Sequence, residues 1–368
     1  MTEPRILVLV GTKAQFIKTA PVLIEMDRRG IGYWLVYTGQ HSETFDLLES
    51  AFGTRKPDEV LVPGYEAATH MKFMTWTWHF WKAVLGRVRS PRWQSCRVGL
   101  VHGDTASTLF GALVLRLAGI KVGHVEAGLR SSRLLDPFPE EIVRRLVSKL
   151  SSVHFVPGET ARRNLTGIRG QIVDTAGNTL KDALLMALDA AGPVPGLDTS
   201  PYAVFSVHRN ENLSQRAVFE QLMQVVVDTA AIIPVRFVLH PATRERIRAT
   251  GWLERLRATP GLELLERMNY PDFVALLVGS RFLMTDGGSN QEEAAMLGIP
   301  TLLLRRTTER DDGLDDCVQL SGLMPAVITS FVRKHAHAPW QVQRPDSESP
   351  SRLLVDALVP MLNERDDG

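Results

Sequence analysis

Almost from its first residue the chain alternates between short apolar runs and longer stretches in which apolar residues recur about every 3.6 positions. Few folds accept that pattern. A run that is apolar at every position is buried on both faces, and an amphipathic helix between two such runs returns the chain to start a parallel neighbour. Residues 5–10, 33–37, 97–101, 121–125 and 153–156 read as strands, and 16–28, 69–85, 105–117 and 140–150 as helices. After a helix at 180–188 the stretch Ala191-Gly192-Pro193-Val194-Pro195-Gly196 cannot continue regular structure, because prolines lack an N–H and glycines are conformationally loose. The alternation then restarts, with strands at 203–207, 235–239, 262–265, 282–285 and 301–304 and helices at 217–231, 244–257, 272–278 and 290–297. The expectation is an α/β protein of two Rossmann-like domains, 1–190 and 202–350, with a hinge at 191–201 and a C-terminal helix and tail at 351–368. Such domains face each other across a cleft lined by the carboxyl ends of both sheets, so residues at strand ends carry the functional interest.

Composition removes several classes of function. Lys and Arg number 42 against 41 Asp and Glu, a formal net charge of +1 with no dense basic block, which argues against a nucleic-acid surface. With 44% apolar and 23% charged residues the chain has material for two cores. Cys96 and Cys317 lie far apart without metal-ligand or redox spacing and read as reduced structural thiols. The N-terminal residues lack the pattern of a signal peptide, and the most apolar long segment, 222–239, is interrupted by Asp228, Pro234 and Arg236. The expectation is a soluble cytoplasmic protein with neither a membrane nor a nucleic acid as partner.

Several strand ends carry chemistry. The first ends in Gly11-Thr12-Lys13, with Lys18 further along the helix, which is either a phosphate-holding turn or a plain one with solvated lysines. It matches neither a P-loop nor a dinucleotide fingerprint. Asp104 follows a strand and opens a helix, as a cap or as an acid–base group. Glu126 ends the next strand, and two carboxylates at one edge tend to have their pKa values split. Glu140 and Glu141 follow Pro139 in a first helical turn favoured by the macrodipole, within reach of Arg144.

In the second half, His208 and Arg209 leave a buried strand for a polar loop suited to an anion, and His240 repeats the position one unit later. Gly287, Gly288 and Ser289 lie between strand and helix, where backbone N–H groups can approach phosphate oxygens. Glu293, one turn on, can take two ribose hydroxyls, and Arg310 follows the next strand. Asp311-Asp312-Gly313 reads as a solvated turn. Phe73, Trp76 and Phe80, flanked by Trp78 and Trp81, read as core or dimer interface, because the basic residues that accompany base stacking are missing.

In order, Gly-Thr-Lys-Ala-Gln-Phe-Ile-Lys-Thr-Ala-Pro from Gly11, Thr38-Gly39-Gln40-His41, His-Gly-Asp-Thr from His102, Gly-His-Val-Glu-Ala-Gly-Leu-Arg from Gly123 and Pro-Phe-Pro-Glu-Glu from Pro137 resemble the UDP-N-acetylglucosamine 2-epimerase family. So do Ala176-Gly177-Asn178-Thr179, Val-His-Arg-Asn-Glu-Asn from Val207, Gln-Glu-Glu-Ala from Gln291 and Thr-Thr-Glu-Arg from Thr307. The resemblance covers roughly residues 5–325. It implies a glycosyltransferase-B type fold, a UDP-sugar substrate, a homodimer, and neither metal nor redox cofactor. It implies loss of the C2 proton as the C1–oxygen bond to UDP breaks, giving a 2-acetamidoglucal to which UDP re-adds after protonation on the other face. Surface polysaccharide synthesis is the process such a product feeds.

Carried over by motif, the catalytic residues are Asp104, Glu126 and Glu140, with His208 beside the diphosphate. The UDP contacts are Lys13, Lys18, Arg209, Phe273, Gly287, Gly288, Ser289, Glu293 and Arg310. The resemblance also implies an activating second UDP-sugar held by Gln40, His41, Glu141 and Arg209, although Glu43 replaces a glutamine and no matching arginine stands around 65–75. Lys13 replaces an arginine, Ser289 falls two positions from the usual hydroxyl, and Met268 stands for a glutamine, which points to a modified sugar as well as to N-acetylglucosamine. A hydrolysing relative that releases free N-acetylmannosamine and a UDP-sugar glycosyltransferase are the alternatives.

Overall fold

The computed structural model describes residues 4–40, 45–65, 70–131, 139–190, 200–308, 310–346 and 348–363. Two compact units result, Met1–Ala183 with Ser347–Gly368, and Leu184–Asp346. The division falls inside the helix Leu180–Ala190, and the Pro/Gly stretch at 191–196 lies outside the described residues.

The first unit is built on seven parallel strands: β1 (Ile6–Val10), β2 (Tyr33–Tyr37), β3 (Glu59–Val60), β4 (Val98–His102), β5 (Lys121–Val125), β6 (Val153–Val156) and β7 (Gln171–Asp174). Their order is β3-β2-β1-β4-β5-β6-β7. The chain runs outward from β1 on one side and from β4 on the other, so the reversal falls between these two strands, where α/β sheets place ligands. Every residue of β1 and β4 is buried, which is why both read as unbroken apolar runs. Trp76 and Phe80 of the helix His70–Leu85 are fully buried against Phe110, and Trp76 Nε1 donates to Thr38 O at 3.1 Å. The C-terminal helix Pro350–Asn363 packs on the helix Lys13–Arg28, with Arg29 paired to Asp356 at 2.5 Å.

The second unit has six parallel strands: β8 (Ala203–Ser206), β9 (Val235–Val238), β10 (Leu262–Leu265), β11 (Phe282–Thr285), β12 (Thr301–Leu303) and β13 (Val318–Leu320), ordered β10-β9-β8-β11-β12-β13. Its reversal lies between β8 and β11. Phe205, Phe219, Phe237, Phe282 and Phe331 form a core of its own.

The structure departs from the sequence reading in several elements, among them helices at Phe45–Phe52 and Pro325–His335 that the reading did not include. The expected helix at 244–257 is two helices, Pro241–Ala249 and Trp252–Arg257, because Gly251 adopts a left-handed φ of 78° that no α-helix continues through. The edge strands β3, β7 and β13 are additional; they are two to four residues long and too little apolar to stand out. Cys96 is buried and Cys317 half-buried, both as free thiols, and burial pushes Cys96 up to about 12, which favours the protonated thiol. Among the described residues no helix is long and apolar enough to cross a membrane.

Candidate active site

In the first unit the ends of β1, β4 and β5 lie side by side and bring Gly11–Lys13, Gly103–Asp104 and Glu126 to one edge. Gln15, buried in the first turn of the helix Lys13–Arg28, fixes that edge. Its Oε1 accepts from the N–H groups of Gly11 (2.8 Å) and Thr12 (3.1 Å), while its Nε2 lies 2.7 Å from His102 O and 2.8 Å from Thr108 Oγ1. A glutamate here could not donate to the carbonyl, so the glutamine suits this packing. Gly11 lets the loops meet, since a Cβ on it would stand 2.2 Å from Ser107 Oγ.

Asp104 is not the helix cap; Thr105 is, accepting from Thr108 N–H. The Asp104 carboxylate instead takes Arg144 Nε at 2.8 Å and Nη2 at 2.6 Å. Arg144 also pairs with Glu141, as its place on the helix face allows, at 3.7 Å, while Glu141 bonds Arg145 at 2.8 Å. Arg144 thus ties the end of β4 to the helix Glu140–Leu150, whose first turn carries Glu140, half-buried.

Glu126 has a left-handed φ of 63°, an uncommon conformation for a side-chain-bearing residue and a mark of functional sites. Only 9% of its side chain is exposed. Its Oε1 accepts from Lys18 Nζ and from Asn178 Nδ2, both at 2.6 Å, and its Oε2 lies 3.5 Å from His102 Nε2. Burial holds the His102 imidazole below its ordinary range despite Glu126, and burial drives His124 down to about 3. Burial thus favours neutral imidazoles here, and the ammonium of Lys18 is a buried charge that faces Glu126 at contact distance.

Glu141 is fully buried. Burial alone would push its carboxyl up, but donation from Ser131 N–H (3.0 Å) and Oγ (3.1 Å) and from Arg145 outweighs this and holds it below the usual carboxylate range. Gln40 N–H lies 3.4 Å from Thr38 Oγ1, and His41 and Glu43 fall outside the described residues.

In the second unit Asp286, fully buried after β11, organises the loop after β8. It accepts from His208 N–H at 2.9 Å, Arg209 N–H at 3.0 Å and Asn212 Nδ2 at 2.9 Å. His208 is half-buried and stacks on His240 with centroids 4.3 Å apart; burial lowers its pKa, opposed by Asp286. Gly287 makes room for it, since a Cβ there would stand 2.9 Å from His208 Cε1. The helix Gly288–Leu297 starts at this loop and carries Ser289 in its first turn, with Glu293 buried one turn further. Burial and Glu293 push the Tyr270 phenol well above its ordinary value, so Tyr270 is a neutral donor. Phe273 is half-buried in the first turn of the helix Tyr270–Val278.

Arg310 Nη1 bonds Glu292 at 3.0 Å, and Arg209 Nε bonds Glu211 at 2.9 Å. Gln291 Nε2 donates to the carbonyls of Arg310 (3.1 Å) and Asp312 (3.0 Å). The turn expected to be merely solvated at 311–313 is therefore part of the tether that holds Arg310.

With this geometry in place, similarity to known proteins decides the family. Residues 25–349 match the family model of UDP-N-acetylglucosamine 2-epimerase. The chain belongs to the UDP-N-acetylglucosamine 2-epimerase family. The epimerase of Bacillus subtilis is 30% identical over 378 residues, which cover 98% of this chain and 96% of that protein. The crystal structure of the Methanocaldococcus jannaschii UDP-GlcNAc 2-epimerase in complex with UDP-GlcNAc and UDP matches with a TM-score of 0.82 at 25% identity, covering 96% and 99% of the two chains. The Neisseria meningitidis epimerase bound to UDP-GlcNAc matches at 0.78 and 29%, again over 96% and 99%. Both units are thus Rossmann-like layers of the glycosyltransferase-B type.

In this epimerase-family chain the first unit gathers Lys18, Asp104 and Glu126 and places Glu140 on the helix that Arg144 anchors, while the second gathers His208, Arg209, Gly287, Gly288 and Ser289. Gln15, His102, Asn178 and Asp286 escaped assignment from sequence. Gln15, His102 and Asp286 each stand at a strand end or helix start that also carries an assigned residue, but the cross-sheet partners of the four lie 24 to 93 positions away, where no local spacing reveals them.

Proposed function

We propose that the chain catalyses reversible epimerisation at C2 of UDP-N-acetylglucosamine, giving UDP-N-acetylmannosamine through elimination and re-addition of UDP. The observation that carries this reading is Glu126, a buried carboxylate in a left-handed turn bonded to Lys18 and Asn178, on the strand next to Asp104, in a chain of the epimerase family. Removing a weakly acidic C2 proton needs a base sheltered from water, and returning one to the other face needs a second group with a different proton affinity. Asp104, Glu126 and Glu140 sit in three distinct settings, a guanidinium partner, an ammonium-and-amide pair and a helix N-terminus. The diphosphate that leaves gains charge, which cations and helix N-termini stabilise. Lys13, Lys18, Arg209, Phe273, Gly287, Gly288, Ser289, Glu293 and Arg310 are the residues assigned to UDP, with the catalytic His208 beside the diphosphate and no cofactor.

The product feeds surface polysaccharide synthesis in the cytoplasm, and the active form is a homodimer. An exposed apolar stripe on the helix His70–Leu85 favours pairing of two copies: Met71, Met74, Trp78 and Leu85 fall on one face and are 61–77% exposed. Sedimentation of wild type and Trp78→Glu tests this, and a wild-type monomer overturns it.

Proton NMR of the protein with UDP-N-acetylglucosamine in heavy water tests the reaction. The expected product is UDP-linked, manno-configured and deuterated at C2, with little free hexosamine. Stoichiometric free N-acetylmannosamine would install hydrolysis instead. Turnover confined to a 2,3-diacetamido or uronic-acid analogue would change only the sugar, the outcome to which Lys13, Met268 and Ser289 point. No C2 exchange with any of these overturns the reading.

A further inference from the structure

Glu126 is oriented by a residue that arrives from the edge of the sheet. β5, β6 and β7 are consecutive neighbours, and the segment 175–178 leaves β7, the outermost of the three. Thr175 N–H donates to Val156 O at 2.9 Å, which fastens the segment to the last residue of β6. Ala176, at φ 53°, donates its N–H to Asp174 Oδ1 at 2.8 Å, and Gly177 follows at φ 149°. Two successive residues in sparsely populated conformations bend the chain so that Asn178, 9% exposed, meets the end of β5. The Asn178 amide acts at both ends. Its Oδ1 accepts from Leu180 N–H at 3.1 Å, at the start of the helix Leu180–Ala190, and its Nδ2 donates to Glu126 Oε1 at 2.6 Å. Lys18 Nζ meets that same oxygen at 2.6 Å, while Oε2 faces His102 Nε2 at 3.5 Å.

We propose that Asn178 is a positioning residue for Glu126: with Lys18 it fixes Oε1 and so sets the direction in which the carboxylate is presented. The identity of the reaction rests on the epimerase reading above, whereas the orientation of Glu126 rests on geometry alone. Lys18 supplies the charge that favours the carboxylate, and Asn178 adds a donor that needs no counter-charge and has one direction.

A merely structural role for Asn178, as the cap of the helix that follows, uses Oδ1, whereas the clamp uses Nδ2. Asn178→Asp separates them, because aspartate keeps the acceptor for Leu180 N–H and caps as well as asparagine, but sets a second carboxylate against Glu126. The clamp predicts that Asn178→Asp melts at a lower temperature at pH 7, where two carboxylates meet beside one buried ammonium, and loses about 10²-fold in kcat with KM within about threefold, part of which Asn178→Ser, whose hydroxyl can donate, regains, whereas a cap-only role leaves melting temperature and kcat unchanged.

Carbon-13 NMR of protein labelled at glutamate Cδ follows the Glu126 carboxyl directly, its signal assigned by loss in Glu126→Gln. The midpoint of its titration should move to higher pH in Asn178→Asp. That measurement needs no substrate, so an enzyme inactive on UDP-N-acetylglucosamine would sink the functional reading while the clamp is still decided. Wild-type kcat with an unmoved Glu126 midpoint in Asn178→Asp overturns the clamp. Should the aspartate variant not fold, the same result in Asn178→Ala, which loses both contacts, overturns it equally.

Discussion

The carboxylates assigned to catalysis differ in what holds them, and this separates their expected behaviour on substitution. Asp104→Asn, Glu126→Gln and Glu140→Gln should each lower turnover by about 10²-fold or more, the scale of a lost acid–base group. Stability should divide them. Asp104 has 26% of its side chain exposed and pairs with Arg144, which also has Glu141 within 3.7 Å, so the amide variant leaves no buried charge stranded. Glu126→Gln removes the carboxylate that Lys18, whose side chain is 7% exposed, contacts at 2.6 Å, and breaking a buried pair from one side costs about 3 kcal/mol. Thermal melting should show a clear drop for Glu126→Gln and a small one for Asp104→Asn. Equal melting temperatures would mean that Lys18 finds water or another partner, and near-normal turnover in any of the three removes that carboxylate from the chemistry. Gln15 makes the complementary point: its two donated hydrogen bonds, to the end of β4 and to Thr108, call for an amide.

Strands and helices with a continuous pattern were legible from sequence, and short or interrupted ones were not. β2, β5, β6, β10 and β11 and the helix Glu140–Leu150 fall on their expected residues, because compact apolar runs and an amphipathic helix carry a pattern strong enough to define both ends. β3, β7 and β13 are edge strands with little apolar signal, and the break at Gly251 depends on one backbone angle. In the candidate site the strand ends were legible, while tethers such as Asp286 depend on contacts across the sheet. The loop at β11 yields a test at this scale. Gly287 has the cap position of the helix Gly288–Leu297, and a methyl group there would stand 2.9 Å from His208 Cε1. Gly287→Ala should therefore push His208 off its stack with His240 and disturb the adjoining helix N-terminus. The melting-temperature increase produced by UDP should shrink at least by half, with the unliganded protein little changed. An undiminished increase would mean that this loop does not hold the nucleotide.

At the scale of the molecule, each unit has its own sheet and its own core, so heating should reveal two transitions that respond to different variables. His102, His124 and His154 are all in the first unit, and burial lowers all three, His124 to about 3. The sign follows from which state takes up protons. Above pH 6.5, the ordinary histidine value, folded and unfolded forms are both neutral and the full stability is present. As pH falls below that value the unfolded chain binds protons that the native unit refuses, so stability is lost, at about 1.4 kcal/mol per pH unit for each such histidine, until the native values are reached. Between pH 7 and 5 carboxylates barely titrate, which leaves this window to the histidines. In the second unit His208 and His335 are lowered too, but both stay partly open to water and should contribute less. Calorimetry should therefore show the first unit's transition falling between pH 7 and 5 while the second's moves little. At pH 7, UDP at a hundredfold excess over its dissociation constant should stabilise the unit that carries Gly287–Ser289 by about 2.7 kcal/mol. His124→Gln, whose amide can still reach Gly103 O, identifies the acid-sensitive transition by flattening it. A first transition independent of pH over this range would show that these imidazoles gain water or protons in the native state, and with that the neutral setting assigned to Glu126 would fall.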